Sequence, residues 1–197
     1  MSSTPAKIAL IVAFAVALVG VVFLVDTLYG GRGGGIVKIG GPFKLVDHDG
    51  KARSDGDFRG RHLLIYFGYT YCPDECPTAL GDMARALDAL GADAAKVQPL
   101  FITVDPARDT PARLKLYVAN FHPRLVGLTG SEEAVTSAAK AYRGYFAKSS
   151  TEAAPGKYLM DHTSIIYLMG PDGRYLTHFT RGTSAETMAA RIRENLS

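Results

Sequence analysis

Hydrophobic and polar positions divide the chain into one wholly apolar segment, a glycine run and a long stretch of mixed pattern. From Ile8 to Val25 eighteen consecutive residues, IALIVAFAVALVGVVFLV, carry no charge. At helical rise they cover roughly 27 Å, close to a bilayer's hydrocarbon thickness, so the pattern predicts a transmembrane helix that Thr27–Tyr29 extend into the interface. A cleavable signal peptide is the rival reading, with Lys7 as a minimal charged leader, but the apolar stretch is long and no clear small-residue cleavage site follows. Gly30 to Gly35, GGRGGG, has nothing to pack and reads as a tether.

Beyond the tether the periodicities change from element to element. Pro42–Val46 and Lys51–Ser54 flank an Asp49-Gly50 turn and predict a short hairpin. His62–Tyr69, HLLIYFGY, is a nearly continuous apolar run, the mark of a buried central strand. Pro77 suits a first helical position, and Leu80, Met83, Ala84, Leu87 and Leu90 then recur at helical spacing until Gly91. Val97–Val104 predicts a second core strand, DPARDTP a loop, and 112–121 a helix. Ser131 caps a further helix through about Tyr142, with Glu132 and Glu133 well placed in its first turn. Ser164–Met169 and Tyr175–Thr180 flank a Pro171-Asp172-Gly173 turn as a second hairpin, and 184–196 closes the chain as a helix. Alternating strands and helices ending in a hairpin and a helix predict an α/β domain, a mixed sheet flanked by helices, which a thioredoxin-like arrangement fits. The expected organisation is therefore an amino terminus and transmembrane anchor over 1–29, a tether over 30–35, and one globular domain over 36–197.

Charge narrows the partners little. Lys and Arg total 22 against 19 Asp and Glu, and no basic run concentrates the excess, which argues against a nucleic-acid surface. Cysteine content is more informative, because the chain has two, Cys72 and Cys76 in GYTYCPDECP. They cannot form a disulfide framework, and in an oxidising compartment their redox state becomes part of the function.

Both cysteines fall between a buried strand and a helix start. There Cys76, next to Pro77, is a natural N-cap whose thiolate the helix amino terminus would favour. Thiol oxidoreductases of the thioredoxin type separate their cysteines by two residues, whereas Pro73, Asp74 and Glu75 intervene here. The wider bite leaves room for a metal, and two thiolates suit Cu(I). Either a disulfide or a shared metal is feasible on an irregular loop. Among five histidines, His162 is the best third ligand, since it directly precedes a predicted core strand. By pattern alone a ligand and a structural histidine are equally good readings of it, as are an orienting acceptor and a turn residue for Asp161. His48, His62, His122 and His178 read as surface or capping residues.

Three motifs, GYTYCPDECPT (Gly68 to Thr78), FITVDPARDTP (Phe101 to Pro111) and DHTSIIYLMGPDG (Asp161 to Gly173), resemble the Sco/SenC family in order and spacing, over about Phe43 to Leu196. The resemblance implies a thioredoxin-like fold, a membrane anchor, and copper bound by Cys72, Cys76 and His162, as Cu(I) with Cu(II) also accommodated. It implies a metallochaperone, loaded by a copper donor chaperone, that serves the binuclear copper centre of cytochrome c oxidase subunit II. The alternative is a thiol-disulfide oxidoreductase that uses Cys72 and Cys76 as a redox-active dithiol to reduce that subunit's cysteines. Asp161 matches the family's DHT pattern, and Asp105, Arg108 and Asp109 match a loop expected near the site. Tyr71 and the glycine-rich tether depart from the pattern and leave the ligand set untouched. A peroxiredoxin-type peroxidase is a third, weaker reading, since it needs an activated peroxidatic cysteine with a suitable threonine and arginine around it. Anchor and chemistry together predict a single-pass protein of the bacterial inner membrane with its domain in the periplasm, a transit-type leader being absent from the seven residues before the apolar segment.

Overall fold

The computed structural model describes residues 4–29, 38–149 and 158–196, and the tether expected over 30–35 lies outside them. Two compact units divide the chain, 1–38 and 39–197. In the first, α1 spans Thr4–Tyr29. Its side chains are described at Lys7, at 12–22 and at Leu24, and those apolar ones are exposed. Among the described residues no helix is long and apolar enough to cross a membrane.

The second unit is built on a seven-stranded mixed sheet. Its strands in chain order are β1 (Lys44–Asp47), β2 (Ala52–Ser54), β3 (His62–Gly68), β4 (Val97–Thr103) and β5 (Val126–Thr129). A two-stranded ribbon, β6 (Phe146–Lys148) with β7 (Met160–His162), stands apart, and β8 (Ile165–Met169) and β9 (Tyr175–Thr180) complete the sheet. The spatial order is β2-β1-β5-β4-β3-β8-β9. β3, β4 and β5 run parallel, joined by α2 (Glu75–Leu90) and α3 (Pro111–Val118), while β8 returns antiparallel to β3. This is the thioredoxin-like arrangement with helices against the sheet.

Apolar content places the strands. Every residue of β4 is buried, as are all but the first of β3, so these two occupy the centre, where side chains on both faces must be covered. Helix α2 buries Leu80, Met83, Ala84, Leu87 and Leu90, the stripe its spacing predicts, and packs against α5 (Ala185–Glu194). Ser131 and Ser184 each accept the N–H three residues on, capping α4 (Glu132–Ala141) and α5.

Five elements depart from expectation. The α2 helix starts at Glu75 rather than Pro77, which puts Cys76 inside the first turn with Asp74 at the cap. The α3 helix stops at Val118, short of 121. Strand β5 and the β6–β7 ribbon are unforeseen, because three or four residues are too few to display a period of two.

Candidate metal centre

The two cysteines and the histidine arrive from opposite ends of the domain. β3 ends at Gly68 and hands the chain to the Tyr69–Asp74 loop, which carries Cys72 to the mouth and ends in α2, where Cys76 is fully buried. His162 closes β7, directly before β8, and the β3–β8 pairing brings that end of the strand beside the cysteine loop. The Sγ atoms of Cys72 and Cys76 and a ring nitrogen of His162 lie within 4.8 Å of one another. The Cys76 Sγ to His162 Nε2 distance is 3.5 Å. Both cysteines are free thiols. A metal held at ~2.3 Å from sulfur in trigonal geometry sets its donors about 4 Å apart, so donors within 4.8 Å of one another, one pair of them at 3.5 Å, need only small adjustments.

The imidazole is held from several sides. Its Nδ1 lies 3.3 Å from the Thr163 carbonyl oxygen, which leaves Nε2 facing the thiols when Nδ1 carries the proton. Tyr66 and Tyr69 present their rings edge-on to it, at 6.1 and 5.7 Å between centroids. Asp161 was a candidate for orienting this ring, but its side chain is exposed and the acceptor at Nδ1 is the Thr163 carbonyl. Alternation along β7 explains the difference: adjacent residues point to opposite faces.

The thiols are unlike each other. The Cys76 N–H, one of the unpaired donors of the first helical turn, points at the Cys72 sulfur at 3.3 Å. Hydrogen bonding from the Cys76 thiol, opposed by partial burial and reinforced by His162 and that N–H, lowers the Cys72 thiol to about 4. The same contact with Cys72, together with burial, pushes the Cys76 thiol far up. The expectation that Cys76 would be the activated cysteine is thus reversed. Once α2 begins two residues earlier, the helix amino terminus serves the sulfur outside it.

Cys76 also depends on the residue where β3 ends. A Cβ added at Gly68 would lie 2.8 Å from the Cys76 Sγ and 2.9 Å from the Phe101 ring, closer than real contacts allow. Gly68→Ala should therefore cost roughly 1–3 kcal/mol of stability, read as a fall of about 2–4 °C in Tm per kcal/mol. An unchanged Tm would show that Cys76 is not packed against Gly68.

Around the cysteines the site opens to solvent through a depression lined by Tyr69, Cys72, Pro73, Leu159 and His162. Cys72 and His162 are half-buried while Tyr71 and Leu159 stand exposed at the rim. Of the other histidines, His48 Nδ1 accepts the Gly127 N–H, and His122 Nδ1 accepts the Arg124 N–H. Asp105 and Asp109 do not join the cluster as ligands, and the Arg108 guanidinium lies 5.9 Å from the centroid of the Tyr69 ring.

The class is a thioredoxin-like domain whose dithiol loop meets an imidazole, three donors that could together hold a metal ion. A family model described as SCO1/SenC matches residues 34–197, and the chain belongs to that family. The mitochondrial SCO2 homolog of Bos taurus is 43% identical over 159 residues, which is 80% of this chain and 59% of that protein. The chain thus spans about three-fifths of the length of that relative. The structure of Bradyrhizobium japonicum ScoI with copper bound is 46% identical, with a TM-score of 0.74, over 80% of this chain and 99% of that one. BsSco, described as a member of the Sco family of cytochrome c oxidase assembly proteins, is 26% identical, with a TM-score of 0.63, over 81% and 94% of the two chains.

Proposed function

We propose that the chain is a copper metallochaperone for the binuclear centre of cytochrome c oxidase subunit II, carrying copper as cargo on Cys72, Cys76 and His162. The observation that carries this reading is the convergence of two sulfurs and one imidazole nitrogen within 4.8 Å, at an open mouth. Two soft thiolates favour Cu(I), and a borderline imidazole also tolerates Cu(II). A three-donor site at the surface leaves an approach for the ligands of a copper donor chaperone or of the oxidase subunit. Copper-bound relatives of the same fold support the choice of metal.

His162→Ala tests the ligand set. Loss of a direct ligand should cost no less than loss of a ligand's supporting partner, so copper affinity should fall by at least about tenfold. Competition against a calibrated chelator, with the circular dichroism unchanged, reads the effect. Unchanged affinity would remove His162 from the site.

A second reading is favoured by the asymmetry of the thiols. The half-exposed Cys72, held as thiolate, is placed to attack a disulfide in the same oxidase subunit, and the buried Cys76 to resolve the mixed disulfide. Comparing copper transfer with disulfide reduction by one preparation, on the copper-binding domain of that subunit, separates the two. No helix among the described residues is long and apolar enough to cross a membrane, so anchoring in a bacterial inner membrane, with the copper domain, 36–197, in the periplasm, is supported by the uncharged Ile8–Val25 run of the sequence alone. Protease protection of the carboxy-terminal domain in intact spheroplasts would contradict that orientation.

A further inference from the structure

The DPARD loop, Asp105 to Asp109, supplies no ligand yet touches both segments that do. Asp109 is fully buried. Its carboxylate accepts the Thr70 N–H at 3.0 Å, the Thr70 hydroxyl at 2.6 Å and the Thr103 hydroxyl at 2.6 Å. Thr70 stands two residues before Cys72 and is tied again by Arg113 Nε, which donates to its hydroxyl at 2.9 Å. Three donors on one buried carboxylate leave the start of the cysteine loop little freedom.

The other end of the same loop faces the histidine segment. Asp105, also buried, pairs with Arg108 Nε and accepts the Tyr158 hydroxyl at 2.7 Å. Arg108 Nη1 donates to the Tyr158 carbonyl oxygen at 2.9 Å, and its guanidinium lies 3.6 Å from the centroid of the Tyr158 ring. Tyr158 stands two residues before β7, the three-residue strand that ends in His162. A ribbon this short is weakly held by its own pairing, so the attachment at Tyr158 sets where the strand begins.

We propose that the Asp105–Asp109 loop is a positioning element that fixes the separation between the thiol arm and the imidazole arm. Asp109 holds the first arm through Thr70, and Asp105 with Arg108 holds the second through Tyr158. The inference rests on the copper-site reading for its purpose, while its geometry can be tested without metal. Arg108→Met keeps the length of the side chain and removes its cation and hydrogen bonds. In the reduced, metal-free protein it should abolish the nuclear Overhauser contacts between the His162 and Tyr69 rings, which lie 5.7 Å apart in the parent. On the Cu(I)-loaded protein, X-ray absorption should then show the nitrogen scatterer lost and both sulfurs kept, with affinity down about 10–100-fold. Asp109→Asn should do the converse, keeping the ring contacts and the nitrogen while one sulfur is lost. Should Asp109→Asn fail to fold, Thr70→Val removes the hydroxyl part of that link, leaving the main-chain N–H on the carboxylate, and carries the same expectation in direction with a smaller effect. Parental ring contacts and an intact two-sulfur, one-nitrogen shell in both variants, with only Tm lowered, would overturn the proposal, and so would identical loss of both donor types in each. Because the ring contacts are measured without copper, they decide the positioning claim even if His162→Ala leaves copper binding unchanged.

Discussion

Cys76→Ser should raise the dissociation constant for Cu(I) by about 100-fold. Structural zinc sites draw about 10–16 kcal/mol from four ligands, or roughly 3 kcal/mol for each, which is about two orders of magnitude in affinity. A hydroxyl is a hard, weakly acidic replacement that does not restore a soft thiolate. The domain should remain folded. The site at Cys76 is small, the Tyr66 hydroxyl lies 4.0 Å from the sulfur as a partner, and serine introduces no bulk against Gly68. Competition with a Cu(I) chelator, with Tm recorded on the same samples, checks both halves. A change in affinity below about threefold would mean that the buried sulfur is not a ligand.

Copper affinity should also climb with pH. The Cys72 thiol is lowered to about 4 and the Cys76 thiol is pushed well above its ordinary value, so across neutral pH the pair holds one proton. Copper needs both sulfurs ionised and must displace that proton. Its dissociation constant therefore falls as pH rises, by about tenfold per unit from the thiol pair, or about 100-fold between pH 6 and pH 8. Calorimetry in buffers of different ionisation enthalpy counts the proton directly. A thiol contribution of none would mean both sulfurs were already ionised, and a contribution of two that Cys72 is not the thiolate.

Much of this site could be read from residues alone, and the reasons are specific. His62–Tyr69 is apolar enough to be a central strand whichever way the rest folds, so the following cysteines had to lie at the sheet's end. His162 precedes a second core strand, β8, and β8 pairs with β3, which turns a separation of 86 residues into a contact. The allocation of charge between the thiols was hidden, because it depends on where α2 begins and on which sulfur the Cys76 N–H reaches. The acceptor at His162 Nδ1 was hidden too, since the carboxylate next to it in sequence points to the other face of the strand. The DPARD motif announced importance without a role. Only its placement between Thr70 and Tyr158 shows what its acids and arginine hold.

The two-stranded ribbon gives the three ligands unequal footing. Cys72 and Cys76 spring from the end of a central strand and from a helix packed against another helix, whereas His162 stands on a short ribbon outside the main sheet, extended by the Thr163 N–H to the Tyr145 carbonyl and attached at Tyr158. Short peripheral pairings open at far lower free energy than the core does. Fraying of the ribbon would withdraw the imidazole first and leave copper on two sulfurs, with one coordination position free for an incoming ligand. Hand-over would then proceed in a fixed order of departures, and the cargo could change owners while the fold stays closed.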